Sequence, residues 1–228
     1  MPVIVRETVL YEDMFFGARS MSTTADSHGW AIKDTSTAGA PTYASVNGDE
    51  GTLEVKLAAD SEEEVITLYH KDILTFRLDQ ILYVEFVMQV SGFNSVTTLV
   101  AGIAGPARTT HAQLADAETY NAWFRIEGSV DVDNVVVETD DTVTDNDDKA
   151  TGKTLVAAYK RFVIDFQYGL KDVRFYIDGD RVASTTTFDM SKTPTQRMQP
   201  YIDLRKASGT GVPAYLLPVY RIARKLVM

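Results

Sequence analysis

Residues 159–184 read YKRFVIDFQYGLKDVRFYIDGDRVAS. Two alternating runs lie inside this stretch. Phe162, Ile164 and Phe166 share one face of the first, and Val173, Phe175 and Ile177 share one face of the second. Side chains on a strand point to opposite sides in turn, so each run is a strand with one buried face. Only Asp178 and Gly179 separate Ile177 from Asp180. A two-residue type I′ turn needs φ above zero at both central positions, which Asp tolerates and Gly prefers. The spacing predicts antiparallel strands at 173–177 and 180–187, closed by a turn at Asp178 and Gly179.

The same alternation extends along the chain. In ILYVEFVMQV (81–90), Leu82, Val84, Phe86, Met88 and Val90 fall on one side, with Tyr83, Glu85 and Gln89 on the other. TLEVKLA (52–58) repeats the pattern with Leu53, Val55 and Leu57. EVITLYH (64–70) is apolar on both sides, as in a strand covered on both faces. Further strands are expected at 3–10, 95–105, 122–128, 132–140, 181–188, 199–206 and 215–226. About a dozen short strands, separated by Gly, Asp, Asn, Ser and Pro, imply two packed antiparallel sheets. Pro218 fits such a strand only at an edge or a bulge. THAQLADAETYNAW (110–123) carries helix formers behind a Thr cap, so an all-β fold with at most one short helix is expected.

Two segments read as loops, 17–51 and 139–153. A long loop in a compact domain commonly has a function of its own. The expected organisation is an N-terminal strand and docking arm over 1–51, held to the body by Trp30, and a sandwich over 52–228, all within one domain. A chain of 228 residues suits a single sandwich with its own core. With no cysteine, disulfides, thiolate metal sites and Cys catalysis are excluded. The net charge of −10 argues against nucleic acid, whose phosphates call for a basic surface. RIARKLVM (221–228) is a basic exception with three positive charges. The first residues show no signal-peptide pattern and no run reaches the length of a membrane span, so neither is expected.

Candidate chemistry is sparse. Asp140, Asp141, Asp145, Asp147 and Asp148 crowd together, and oxygen-rich loops can hold calcium. The run lacks the order of an EF-hand loop and reads as a solvated hairpin tip; Asp145 and Asp147 are the calcium candidates, and no other cofactor is implied. His28, His70 and His111 stand on three segments without metal-site spacing. His70 is expected at a strand rim or half-buried, and His28 beside Trp30 as a loop-docking pair. No G-x-S-x-G nucleophile motif occurs. Glu138 with Asp140, and Asp131 with Asp133, are the same-face carboxylate pairs. Tyr83, Trp123, Tyr168, Tyr176 and Tyr201 are aromatic candidates for stacking on a sugar. Tyr176 points away from the Phe175–Ile177 face, and it and Tyr201 are the residues that a glycan site would use.

VRFYIDGDRVAS, with YKRFVIDF before it and QPYIDLRKASGTG and PVYRIAR after it, resembles the concanavalin A-like (laminin G-like) jelly-roll sandwich. The likeness covers roughly residues 50–226 and implies fold more than function. Glucanases of this fold carry E-x-D-x-x-E on one strand, and Val143 stands here where the second Glu belongs. That departure implies no catalytic residues. TTTFDMSKTPTQRMQPYIDLRKASGTG (185–211) is similar in style to sandwich proteins of tailed-phage particles. That narrower resemblance implies a virion component made in the host cytoplasm. It would be a capsid decoration or cement protein that binds across major capsid protein subunits as a dimer or trimer. The alternative is a carbohydrate-binding module of a tail fibre, recognising surface glycans; a glycan hydrolase or lyase is the third expectation.

Overall fold

The structure is a computed structural model and describes residues 8–15, 21–46, 51–106, 119–128, 135–155 and 157–225. The first strands are β1 (Thr8–Asp13), β2 (Ala31–Asp34), β3 (Thr42–Val46), β4 (Thr52–Lys56), β5 (Glu64–Tyr69) and β6 (Phe76–Arg77). A 3-10 turn at Leu78–Gln80 leads into β7 (Ile81–Ser91), β8 (Thr97–Ala104), β9 (Asn121–Glu127), β10 (Val135–Asp140) and β11 (Asp145–Ala150). The rest are β12 (Lys160–Asp165), β13 (Arg174–Ile177), β14 (Asp180–Val182), β15 (Arg197–Lys206) and β16 (Ala214–Lys225). Among the described residues there is no α-helix.

The first sheet runs β14-β13-β12-β7-β16-β4-β3, with β1 added beside β16. The second runs β11-β10-β9-β8-β15-β5-β2, with β6 added beside β15. The paired strands are antiparallel and form two packed sheets, as the alternation predicts, and the chain crosses repeatedly from one to the other in the jelly-roll arrangement that the resemblance implies. The inner faces meet in one core. Phe86 stacks between Phe162 (5.1 Å) and Tyr220 (5.8 Å), and Phe124 of the opposite sheet meets Phe86 and Phe162 edge-on at 6.0 and 5.0 Å. Offset-stacked and edge-to-face rings gain beyond the area they bury.

Several expectations change. Segment 17–51 is not an arm over its described part: β2 joins the second sheet and β3 the first, so 21–46 is built into both. Trp30 is fully buried there, in edge contact with Tyr220 at 5.4 Å. Residues 145–150 of the acidic segment form strand β11, paired with β10. The region read as helical has its last residues in β9; residues 107–118, with His111, lie outside the described ones. The strand expected at 180–187 stops at Val182, where Ala183 takes φ +47° and the chain turns; Phe188 returns only as a single bridge to Val173. In β7, Ile81 rather than Leu82 reaches the core, because the register against β16 slips between Tyr83 and Ile81. The β16–β7 register also shifts between Leu216 and Val219, which places Pro218 in a bulge.

Candidate functional site

The outward face of the second sheet gathers the polar side chains that the core rejects, and buries them. Cross-strand register sets Glu138, Trp123, Gly102, Tyr201 and Tyr69 in one row over β10, β9, β8, β15 and β5. The next row holds Val136, Arg125, Val100, Asp203 and Thr67. Gly102 leaves room for the rings on either side, and Trp123 and Tyr201 lie 6.1 Å apart across it. Glu138 is 2% exposed. It accepts the Trp123 indole N–H at 2.6 Å through Oε2, and its Oε1 lies 3.1 Å from Arg125 Nη1. The Arg125 guanidinium also meets Glu127 at 3.3 Å and touches Asp148. This glutamate is thus held in a buried ion pair, a fixed arrangement in a low-dielectric setting.

Asp203 is fully buried in the same face and accepts the Thr67 hydroxyl at 2.5 Å. Burial pushes its carboxyl up to about 7; the Thr67 and Tyr201 hydroxyls and the charges of Arg205 and Lys33 offset only part of that. Neither Arg125 nor Asp203 was singled out by sequence reasoning. The available signal was i, i+2 spacing alone: Trp123 with Arg125, and Tyr201 with Asp203.

The sequence candidates separate. Tyr201 is 3% exposed in this face, whereas Tyr176 is half-buried on the outward face of the first sheet, opposite Arg181 and Val163. The two tyrosines therefore do not form one glycan site, because β13 and β15 belong to different sheets. Around Tyr176, Arg174 lies 3.4 Å above the Tyr168 ring and pairs with Asp172, which also faces Arg181. Tyr83 lies on this face too, beside a chain of ion pairs linking Arg161, Glu85, Arg221 and Glu12. Burial works against ionising Glu85, but hydrogen bonds and charges from Arg161 and Arg221 prevail and hold its carboxyl below the usual range.

The acidic segment is largely consumed by backbone. Asp141 is buried and accepts the N–H groups of Thr144 and Lys192, each at 2.8 Å, while Asp140 accepts that of Thr142. Asp145 and Asp147 lie on β11, and among the described residues no group of three acidic or histidine side chains is placed to hold a metal ion. Asp131 and Asp133 lie outside the described residues. His70 is not at a rim: it is fully buried, packed edge-on against Trp30 at 4.5 Å. Its Nδ1 donates to the Leu74 carbonyl at 3.1 Å and its Nε2 lies 3.0 Å from the Tyr11 hydroxyl; burial lowers its pKa to about 4. His28 meets the body through its own carbonyl, which accepts the Tyr11 hydroxyl at 3.1 Å. Asp178 and Gly179 have φ of +52° and +89°, the positive pair that a type I′ turn requires, and Ile177 pairs with Asp180. The Asp178 carboxylate accepts Arg161 N and Lys160 Nζ at 2.9 and 2.8 Å, so it ties the turn to β12.

Neither a protein-family model nor a curated protein sequence matches the chain. Solved structures do. A laminarinase from Rhodothermus marinus is similar at TM-score 0.63 and 10% identity, over 98% of this chain and 100% of that one. The Emp47p carbohydrate recognition domain is similar at 0.59 and 9%, over 95% and 96%. Peanut lectin is similar at 0.57 and 11%, over 97% and 99%. At these identities the likeness is one of fold: the concanavalin A-like jelly roll.

Proposed function

We propose that this chain is a non-catalytic, lectin-like protein that binds glycans, carried on a tailed-phage particle as part of its host-recognition apparatus. The observation that carries the non-catalytic half is the state of Glu138, which stands where the glucanase pattern begins. Both its oxygens are engaged, by Trp123 and Arg125, and Val143 at the position of the missing Glu is 68% exposed on a hairpin tip. A glycosidase needs two carboxyl groups facing one bond across about 5–9 Å. The glycan half is supported by the fold shared with a carbohydrate recognition domain and a lectin. The phage setting rests on the resemblance of residues 185–211.

The test is a glycan array with and without calcium, run beside polysaccharide-degradation assays. Binding without turnover is the expected result. Turnover that Glu138→Gln abolishes overturns the proposal, as does silence across the array.

A second reading, a capsid decoration protein bridging shell subunits, is favoured by the outward face of the first sheet and its flank. Leu10, Tyr159 and Tyr168 are 50%, 45% and 58% exposed there, beside alternating charges, a composition suited to a protein interface. On this reading purified virions contain the chain in near-stoichiometric ratio to the shell protein, and stripping it leaves fragile capsids. Its absence from virions refutes both the decoration role and the phage setting.

A further inference from the structure

The basic exception in the sequence has a structural counterpart. Arg224, near the end of β16, lines a pocket of about 300 Å³ with Arg77 of β6, Arg197 of β15, and Leu74, Thr75 and Gln80. Phe76 lies in its wall. The pocket sits where the sheets meet: Arg197 comes from the second, Arg224 from the first, and β6 with the following 3-10 turn crosses between them.

Arg77 and Arg197 are direct cross-strand partners. Like charges facing each other across strands are destabilising, so the pair is tolerated at a cost. Among the described residues one carboxylate answers them: Asp79 accepts Arg77 Nε at 3.2 Å and Nη2 at 2.6 Å. Arg197 donates to the Thr75 hydroxyl at 3.1 Å, and Arg224 has no ion pair among the described residues. Among the described residues three cations and one anion leave +2 at this pocket, within a chain whose net charge is −10.

We propose that this pocket binds the carboxylate-bearing ring of an acidic saccharide, a uronic acid residue within a glycan. Guanidinium forks match the planar carboxylate and grip it through two parallel hydrogen bonds. Gln80 and Thr75 supply neutral groups for ring hydroxyls, and Leu74 with Phe76 supplies apolar surface for the C–H face. The volume is at the lower end for small-molecule sites and accommodates one sugar ring. The inference rests on the glycan reading and names both the ligand class and the place of binding.

Titration calorimetry with glucuronate and galacturonate, against glucose, acetate and inorganic phosphate, tests it. At least one uronate binds saturably and about tenfold or more tighter than glucose or acetate. Arg197→Gln and Arg224→Gln each weaken that binding about tenfold or more while the melting temperature holds, since neither side chain is buried. Phosphate or acetate binding as tightly as the uronates overturns saccharide recognition, and no saturable uronate binding overturns the pocket. Array binding that survives both arginine variants removes this pocket but leaves the glycan reading standing. A silent array together with silent uronates ends both.

Discussion

Asp203 and His70 are buried groups whose titrations pull stability in opposite directions. The Asp203 carboxyl is pushed from 3.8 up to about 7, so between those values the folded state keeps a proton that the unfolded chain has released. Its contribution is complete below about pH 4 and is lost as pH rises through 7. A shift of roughly 3 units at 1.4 kcal/mol each amounts to about 4 kcal/mol. His70 is lowered from 6.5 to about 4, so the unfolded chain binds a proton that the folded state refuses. Its contribution is present above 6.5 and is lost as pH falls to 4, about 3 kcal/mol by the same conversion. Between pH 4 and 6.5 the two slopes nearly cancel. Asp203→Asn keeps an acceptor for Thr67 and removes one slope. Denaturant unfolding at constant ionic strength, every half pH unit from 4 to 8, reads the result. The stability difference between variant and parent should change by up to about 4 kcal/mol between pH 4 and 7, in favour of the variant at the higher pH. The variant alone should weaken by about 3 kcal/mol or more on acidification from 6.5 to 4, because His70 accounts for about 3 and depressed carboxyls add to it. Carboxyls held below their usual range, such as Glu85 and Asp178, titrate in both proteins and drop out of the difference. Parallel curves for parent and variant refute the reasoning.

Gly102→Val should lower stability by about 3 kcal/mol or more, because a Cβ there would stand 2.4 Å from the Ala122 carbonyl and 2.7 Å from Trp123 Cα; an unchanged thermal midpoint contradicts it. Lys206 is fully buried, with its Nζ 2.7 Å from the equally buried Glu64 and donating to the Ala58 and Asp60 carbonyls. Lys206→Met should cost about 3–5 kcal/mol, and adding Glu64→Gln should recover much of it, which a double-mutant cycle of unfolding free energies measures. Gly179→Val should cost about 1–2 kcal/mol in the same assay; nothing lies within 4 Å of the added Cβ, so the penalty comes from the left-handed backbone alone.

Much of the sandwich is legible residue by residue. Val84, Phe86, Met88 and Val90 are read as one face of β7 and lie in the core. Leu82 is not, because a bulge is set by the partner strand β16 and leaves no local mark. β2 and β3 escape notice because four and five residues, rich in polar types, carry too little alternation. Their ladders with β5 and β4 supply what their own composition does not. DNDDKA reads as a loop for the same reason, yet pairs with β10 at both its ends, across a register shift at Asp147 and Asp148.

The alternation of residues 159–184 and its repeats determined that this chain is an all-β sandwich, because in-or-out is a local property of a strand. Which sheet a strand joins is not local. Tyr176 and Tyr201 both face away from the core, but only the crossings between sheets separate them. Register between the successive strands β9 and β10 brings Trp123, Arg125 and Glu138 into one buried cluster, whereas the crossings bring Arg77, Arg197 and Arg224, far apart along the chain, to the rim of one pocket. Packing two sheets face to face decides those neighbours, and no period in the sequence records them.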